Sequence, residues 1–242
     1  MDRIRNLMSS RFLAGALPVL AIGLMAGFLG IQRSSAEGAV VIPTPAVDEP
    51  AGDQPEVAIF AGGCFWGVQG VFEHVKGVVS AVSGYAGGTV PNPTYDEVSA
   101  HTTGHAEAVE VTFDPKQVTY GKLLQIFFSV VQDPTELNFQ GPDAGTNYRS
   151  AVFTKSDAQK KIAGAYVAQL DAAKVFPAKI VTEVTPYTNF YRAEDEHQDY
   201  ATIHPDNGYI AFNDLPKIAN LKARFPDVWQ EKPVLVFASN AS

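Results

Sequence analysis

EVAIFAGGCFWGVQGVFEHV, residues 56–75, runs from a strand through a glycine pair into a helix without a break. Val57–Ala61 is a short apolar run ended by Gly62-Gly63, and Cys64–Val75 carries Phe65, Val68 and Phe72 at helical spacing. Further along, Val78–Tyr85 reads as a strand. Ala106–Phe113 alternates, with Glu107, Val109, Val111 and Phe113 on one face and Ala108, Glu110 and Thr112 on the other. Thr119 caps a predicted helix over Tyr120–Val131 that buries Leu123, Leu124, Phe127 and Phe128. A strand around Tyr148–Thr154 follows, and Ser156 with Gln159 forms a capping box opening a helix to Ala173. Lys179–Tyr187 is a further strand and Ala193–Tyr200 a short acidic helix. The order β-α-β-β-α-β-α-β predicts an α+β fold: a ferredoxin-like split β-α-β sandwich, a mixed sheet with helices on one face. Two long irregular stretches, Ala86–Gly104 and Gln132–Thr146, are the expected functional loops, since long loops in compact domains are usually functional.

The chain has 242 residues, 46% hydrophobic and 18% charged, enough for a real core. Residues 1–36 hold Arg3, Arg5, Arg11 and Arg33 against one acid, leaving 14 basic and 25 acidic residues in the remainder, a net −11. So acidic a body argues against phosphate-backbone binding and nucleic acid as a partner. The apolar run Phe12–Ile31 behind three Arg, followed by Ser34-Ser35-Ala36, reads as a signal peptide or as an N-terminal membrane anchor. Either way the body is sent across the membrane, to the periplasm or cell envelope. Residues 37–55 are Pro-rich and acidic, a linker. A catalytic domain is expected over 56–214 and a tail over 215–242, in a monomer.

One cysteine, Cys64, stands in the whole chain, which excludes an internal disulfide and any multi-cysteine zinc site. A lone Cys is by default a small buried hydrophobe. Its neighbours argue otherwise. Helix N-termini offer free N–H groups and positive potential, which favour a thiolate, and Gly62-Gly63 lets a ligand approach the backbone. Phe65 and Trp66 cannot both face the core from one turn, so at least one lines a cleft. Glu107 is the second anomaly, a carboxyl on the apolar face of its strand. Desolvation there would raise its pKa and make a proton donor near neutral pH. A buried ion pair, or a strand end already in water, is the alternative.

Gly63-Cys64-Phe65-Trp66-Gly67 resembles the signature of the A-type peptide-methionine sulfoxide reductases, which reduce the S-epimer of methionine sulfoxide. The resemblance continues through Gly84-Tyr85-Ala86-Gly87-Gly88, Asn92-Pro93-Thr94-Tyr95, Gly104-His105-Ala106-Glu107-Ala108-Val109, Gly141-Pro142-Asp143, Gly145-Thr146-Asn147-Tyr148-Arg149-Ser150 and Ala193-Glu194-Asp195-Glu196-His197-Gln198, over residues 56 to 212. It implies that Cys64 attacks the sulfoxide sulfur while Glu107 protonates the oxygen, with Tyr95 and Tyr148 donating hydrogen bonds to it. Phe65 and Trp66 are then the methyl pocket, and Asp143 orients the site and meets the substrate backbone. Methionine leaves and Cys64 becomes a sulfenic acid. Asn147 stands where the family pattern leads one to expect Gln.

Many members of that family carry a resolving Cys near the C-terminus. Here Leu215–Ser242 has none, so the chain resembles the single-cysteine branch. Regeneration then needs an outside thiol: a thioredoxin-like protein, glutathione with glutaredoxin, or a small dithiol. No metal or bound cofactor is implied. Two other functions fit the same Cys: a thiol hydrolase or acyltransferase pairing Cys64 with His105 or His197, and a non-catalytic binder of oxidised Met segments. Sulfoxide chemistry needs neither His, and both are expected to be structural or surface residues.

Overall fold

A computed structural model describes residues 39–49 and 52–237. The segment read as a signal or anchor, residues 1–36, lies outside the described residues. From β1 (Glu56–Gly62) the chain enters α1 (Phe65–Glu73) and returns as β2 (Val78–Ala86). Then come α2 (Tyr95–Ser99), β3 (Ala106–Phe113) and α3 (Tyr120–Ile126), which runs on as a π-turn, Phe127–Val131. A hairpin of β4 (Phe139–Gln140) and β5 (Asp143–Ala144) precedes β6 (Ser150–Thr154) and α4 (Asp157–Ala172). β7 (Glu183–Pro186), β8 (Phe190–Arg192), α5 (Tyr200–Ile203), a second π-turn (Ile210–Asp214) and α6 (Leu215–Arg224) complete it.

The main sheet is ordered β7-β6-β1-β3-β2-β8. Its central four strands are antiparallel, and β7 joins β6 in parallel, which makes the sheet mixed. With α1 between β1 and β2 and α3 between β3 and β6, the centre is the split β-α-β sandwich expected from sequence. The helices cover one face. There Phe60 of β1 stacks on Phe72 of α1 at 5.1 Å and on Phe127 at 5.0 Å, and α4 adds Ile162 and Tyr166 to the same core. Small residues (Ala61, Ala86, Ala106, Ala108 and Ala151) dominate the opposite face, closed by Tyr187 and Phe190.

Several expectations are corrected. The loop 86–104 contains α2, because Thr94 accepts from the Glu97 amide while the Glu97 carboxylate takes the Thr94 amide, a reciprocal cap. Lys179–Tyr187 pairs as a strand only from Glu183, because Ile180 N–H donates to Asp171 and Val181 N–H to the Pro134 carbonyl. Ala193–Tyr200 is no single helix: Gln198 Nε2 donates to the Ser83 and Ala193 carbonyls, and Asp199 adopts φ 57°. The linker is also structured in part. Val40 and Ser129 exchange hydrogen bonds, Tyr166 Oη donates to the Pro43 carbonyl at 2.6 Å, Ile42 is buried, and Asp48 accepts from Thr119 Oγ1 and Gly121 N–H at the start of α3. Finally, Asp214 is no domain edge. Leu221, Phe225 and Val228 lie in the core, and Asp199 accepts the Val236 and Phe237 amides.

Candidate active site

The β1-to-α1 turn aims Cys64. Gly63 holds φ +87°, and a Cβ there would stand 2.6 Å from the Gln140 Cβ, so only glycine fits. Cys64 is the N-cap of α1 and makes no side-chain capping bond. One free amide of the first turn finds another partner: Phe65 N–H donates to Glu107 Oε2 at 3.1 Å. Glu107 comes from β3, whose alternation turns it inward to 1% exposure. Burial pushes its carboxyl up to about 8; the Phe65 amide opposes this, and Asp143 and Asp214 add to it. Glu107 therefore keeps a proton at neutral pH. The Cys64 thiol is pushed well up, first by burial, then by Glu107 and Asp214, against the Trp66 amide and Lys217. The expectation of a thiolate is thus corrected: burial outweighs the helix terminus.

Aromatic rings surround this pair. Phe65 is buried and Trp66 half-buried, stacked on Tyr200 at 4.0 Å. His197, expected to be structural or at the surface, lies inside the cage, 4.3 Å from Tyr95, 5.4 Å from Phe65 and 5.9 Å from Trp66. Burial lowers its pKa against the pull of Glu194 and Glu196, so the ring is neutral at pH 7. Glu194 ties the cage together, accepting from Tyr85 Oη at 2.8 Å and from Tyr95 N–H at 2.9 Å. Burial and then the Glu107 charge push the Tyr95 and Tyr148 hydroxyls up, leaving both as proton-bearing donors. Asp143 accepts from Tyr209 Oη, and its carboxyl is raised by burial against Tyr209 and Lys217. Cys64, Gln140, Asp143, Tyr209, Asn213 and Lys217 line one cleft.

The seven side chains singled out in the sequence thus gather around the start of α1. His105 does not join them: its Nδ1 accepts from Gly88 N–H and its Nε2 pairs with the Val90 carbonyl, which pins a loop and leaves no nitrogen for Cys64. Sequence reasoning missed Glu194, Tyr209, Asp214 and Lys217. The signal for the last two was an Asp and a Lys three residues apart around a Pro helix start. Asn147 is fully buried, with neither amide atom paired. Among the described residues no group of three His, Cys, Asp or Glu could hold a metal.

The profile of the peptide methionine sulfoxide reductase family matches residues 56–229. Peptide methionine sulfoxide reductase MsrA 2 of Mesorhizobium japonicum is 58% identical over 194 residues, which is 80% of this chain and 100% of that protein. MsrA 2 of Synechocystis is 46% identical, covering 77% of this chain and 89% of that one. Among solved structures, reduced Mxr1 of Saccharomyces cerevisiae superposes with a TM-score of 0.59 at 32% identity, covering 68% of this chain and 93% of that chain. Methionine sulfoxide reductase A of Corynebacterium diphtheriae gives 0.55 at 34%, with 72% and 91% covered. This chain belongs to the peptide methionine sulfoxide reductase family, on its A-type side.

Proposed function

We infer that this protein reduces the S-epimer of methionine sulfoxide to methionine and so repairs oxidised proteins. One observation carries the reading: a buried, proton-bearing carboxyl, Glu107, shares the N-terminus of α1 with the chain's sole cysteine, beneath an aromatic cage. Cys64 Sγ attacks the sulfoxide sulfur and Glu107 gives its proton to the oxygen, while Tyr95 and Tyr148 donate hydrogen bonds to it. The thiol proton completes the water that leaves. Water then cleaves the new S–S bond, methionine departs, and Cys64 remains as a sulfenic acid. A neutral Glu107 does not repel the attacking thiolate, since its upward push on Cys64 exists only when it is ionised. Trp66 and Phe65 receive the methyl group, and Asp143, held by Tyr209, meets the substrate backbone.

With no second cysteine in the chain, an outside thiol regenerates Cys64 by attacking the sulfenic sulfur, through a mixed disulfide. A thioredoxin-like protein, glutathione with glutaredoxin, and a small dithiol are the candidates. The Arg-flanked apolar run at 12–31 supports export to the cell envelope, as a soluble or anchored protein. The test is turnover of the two sulfoxide epimers with a small dithiol. Loss of the S-epimer alone, one methionine formed per sulfoxide consumed, is expected. Cleavage of a thioester or amide with no sulfoxide consumed would replace the reading with a hydrolase.

A further inference from the structure

Asp199 stands at the start of α5 and does not cap it. An Asp at this position ordinarily turns its carboxyl back on the first free amides of the helix. Here the backbone is left-handed at φ 57°, and the side chain makes no capping bond. Both oxygens go to the C-terminal tail instead: Val236 N–H donates to Oδ1 at 2.9 Å and Phe237 N–H to Oδ2 at 3.0 Å. The Asp199 amide donates to Gln69 Oε1 of α1 at 3.0 Å. Asp199 is 1% exposed, so the tail amides supply donors that water cannot. The tail arrives along the end of α1, where Gln230 Nε2 and Val234 N–H both donate to the Glu73 carbonyl. The next residue after Asp199 is Tyr200, the ring on which Trp66 stacks at 4.0 Å. Trp66 Nε1 has no hydrogen-bond partner, so ring packing alone sets the indole.

Resting on the reductase reading, we propose that Asp199 is a positioning residue: it clamps the C-terminal tail beside the aromatic cage and thereby holds Tyr200 against Trp66 in the methyl pocket. Two anchors fix it. Gln69 holds the Asp199 backbone from α1, three residues beyond Trp66 on the same helix, and the tail amides hold its side chain. The Thr202 and Ile203 amides donate to the Asp199 carbonyl, so a shift of Asp199 carries the first turn of α5, and Tyr200 with it. Residues of the tail thus bear on how well the pocket binds sulfoxide, and not on the bond-making at sulfur.

Michaelis kinetics on the full chain test this with Asp199→Asn and with Val236→Pro/Phe237→Pro. Asn tolerates the left-handed backbone but offers one accepting oxygen, and the prolines remove both donors while leaving Asp199 in place. Each variant is expected to raise KM for methionine sulfoxide about tenfold with little change in kcat. Their combination is expected to be no worse than either, because all of them break one contact. Ile42→Ala, which weakens the core elsewhere, should keep the wild-type KM. With Trp229→Phe as background Trp66 is the sole indole, and acrylamide should quench its fluorescence more strongly in each variant than in the parent. Should Asp199→Asn not fold, the proline variant decides by itself. Wild-type KM and unchanged quenching in whichever variant folds, additive effects in the combination, or an equal rise of KM in Ile42→Ala would overturn the proposal. Failure of the wild type to consume sulfoxide would instead defeat the reductase reading, and quenching of Trp66 would still decide the clamp.

Discussion

Cys64 caps the helix terminus whose first free amide Glu107 accepts, and their chemistry follows from that shared seat. Cys64→Ser keeps the size of the side chain but offers a far weaker nucleophile, and no other thiol can take over. Sulfoxide reduction should vanish while the circular dichroism spectrum stays that of wild type. Glu107→Gln keeps a partner for the Phe65 amide region but loses the transferable proton. Its single-turnover rate at neutral pH should fall by about 10²-fold or more, and the deficit should shrink as pH rises above about 8. The sign of the pH dependence is set by the raised carboxyl: its donor form disappears as pH rises through about 8. Wild-type single-turnover rates should therefore decline above that pH, and a stopped-flow series on Glu107→Gln should lack this limb. An unchanged rate at pH 7 would remove Glu107 from the acid role.

Strands and helices that report on themselves were legible in the sequence. β3 was read at its observed limits from alternation alone, and Thr119 and Ser156 cap α3 and α4 as expected. Elements defined by partners far along the chain were not. Nothing local in residues 39–49 says that Tyr166, Gln125 and Ser129 will hold their carbonyls, and a Pro-rich acidic composition argued for a free linker. The place of His197 in the aromatic cage is hidden for the same reason, since the rings that enclose it come from α1 and α2. The docked strap has a testable consequence. Ile42 is buried against the helices, so Ile42→Ala should cost about 2–4 kcal/mol, seen as a lower urea midpoint with an unchanged m-value. A midpoint equal to wild type would mean that the strap is not part of the cooperative unit.

Among the buried acids, Glu73 bears most plainly on the stability of the whole molecule. Glu73 is fully covered, accepts from Thr202 Oγ1 at 2.9 Å, and is pushed up to about 8 by burial, with Asp199 adding and Thr202 opposing. Below its ordinary 4.5 both folded and unfolded chains carry the proton, so no penalty exists there. Between 4.5 and about 8 the unfolded chain releases a proton that the folded chain keeps, and this site's contribution falls with rising pH. Glu73→Gln removes that slope. Its unfolding free energy relative to wild type should rise from pH 5 to pH 9 by on the order of a few kcal/mol, seen as a rising relative melting temperature in scanning calorimetry at the two pH values. A difference independent of pH would show that Glu73 ionises freely. The catalytic cycle, by contrast, rests on the single sulfur. With one cysteine and no resolving partner, a turnover without reductant must leave its record on Cys64. Mass spectrometry of the enzyme after one turnover should find about one methionine released per chain and one oxygen added at Cys64, trapped by a sulfenic-acid reagent and removed by a dithiol. Released methionine beside an unmodified Cys64 thiol would contradict the mechanism at its root.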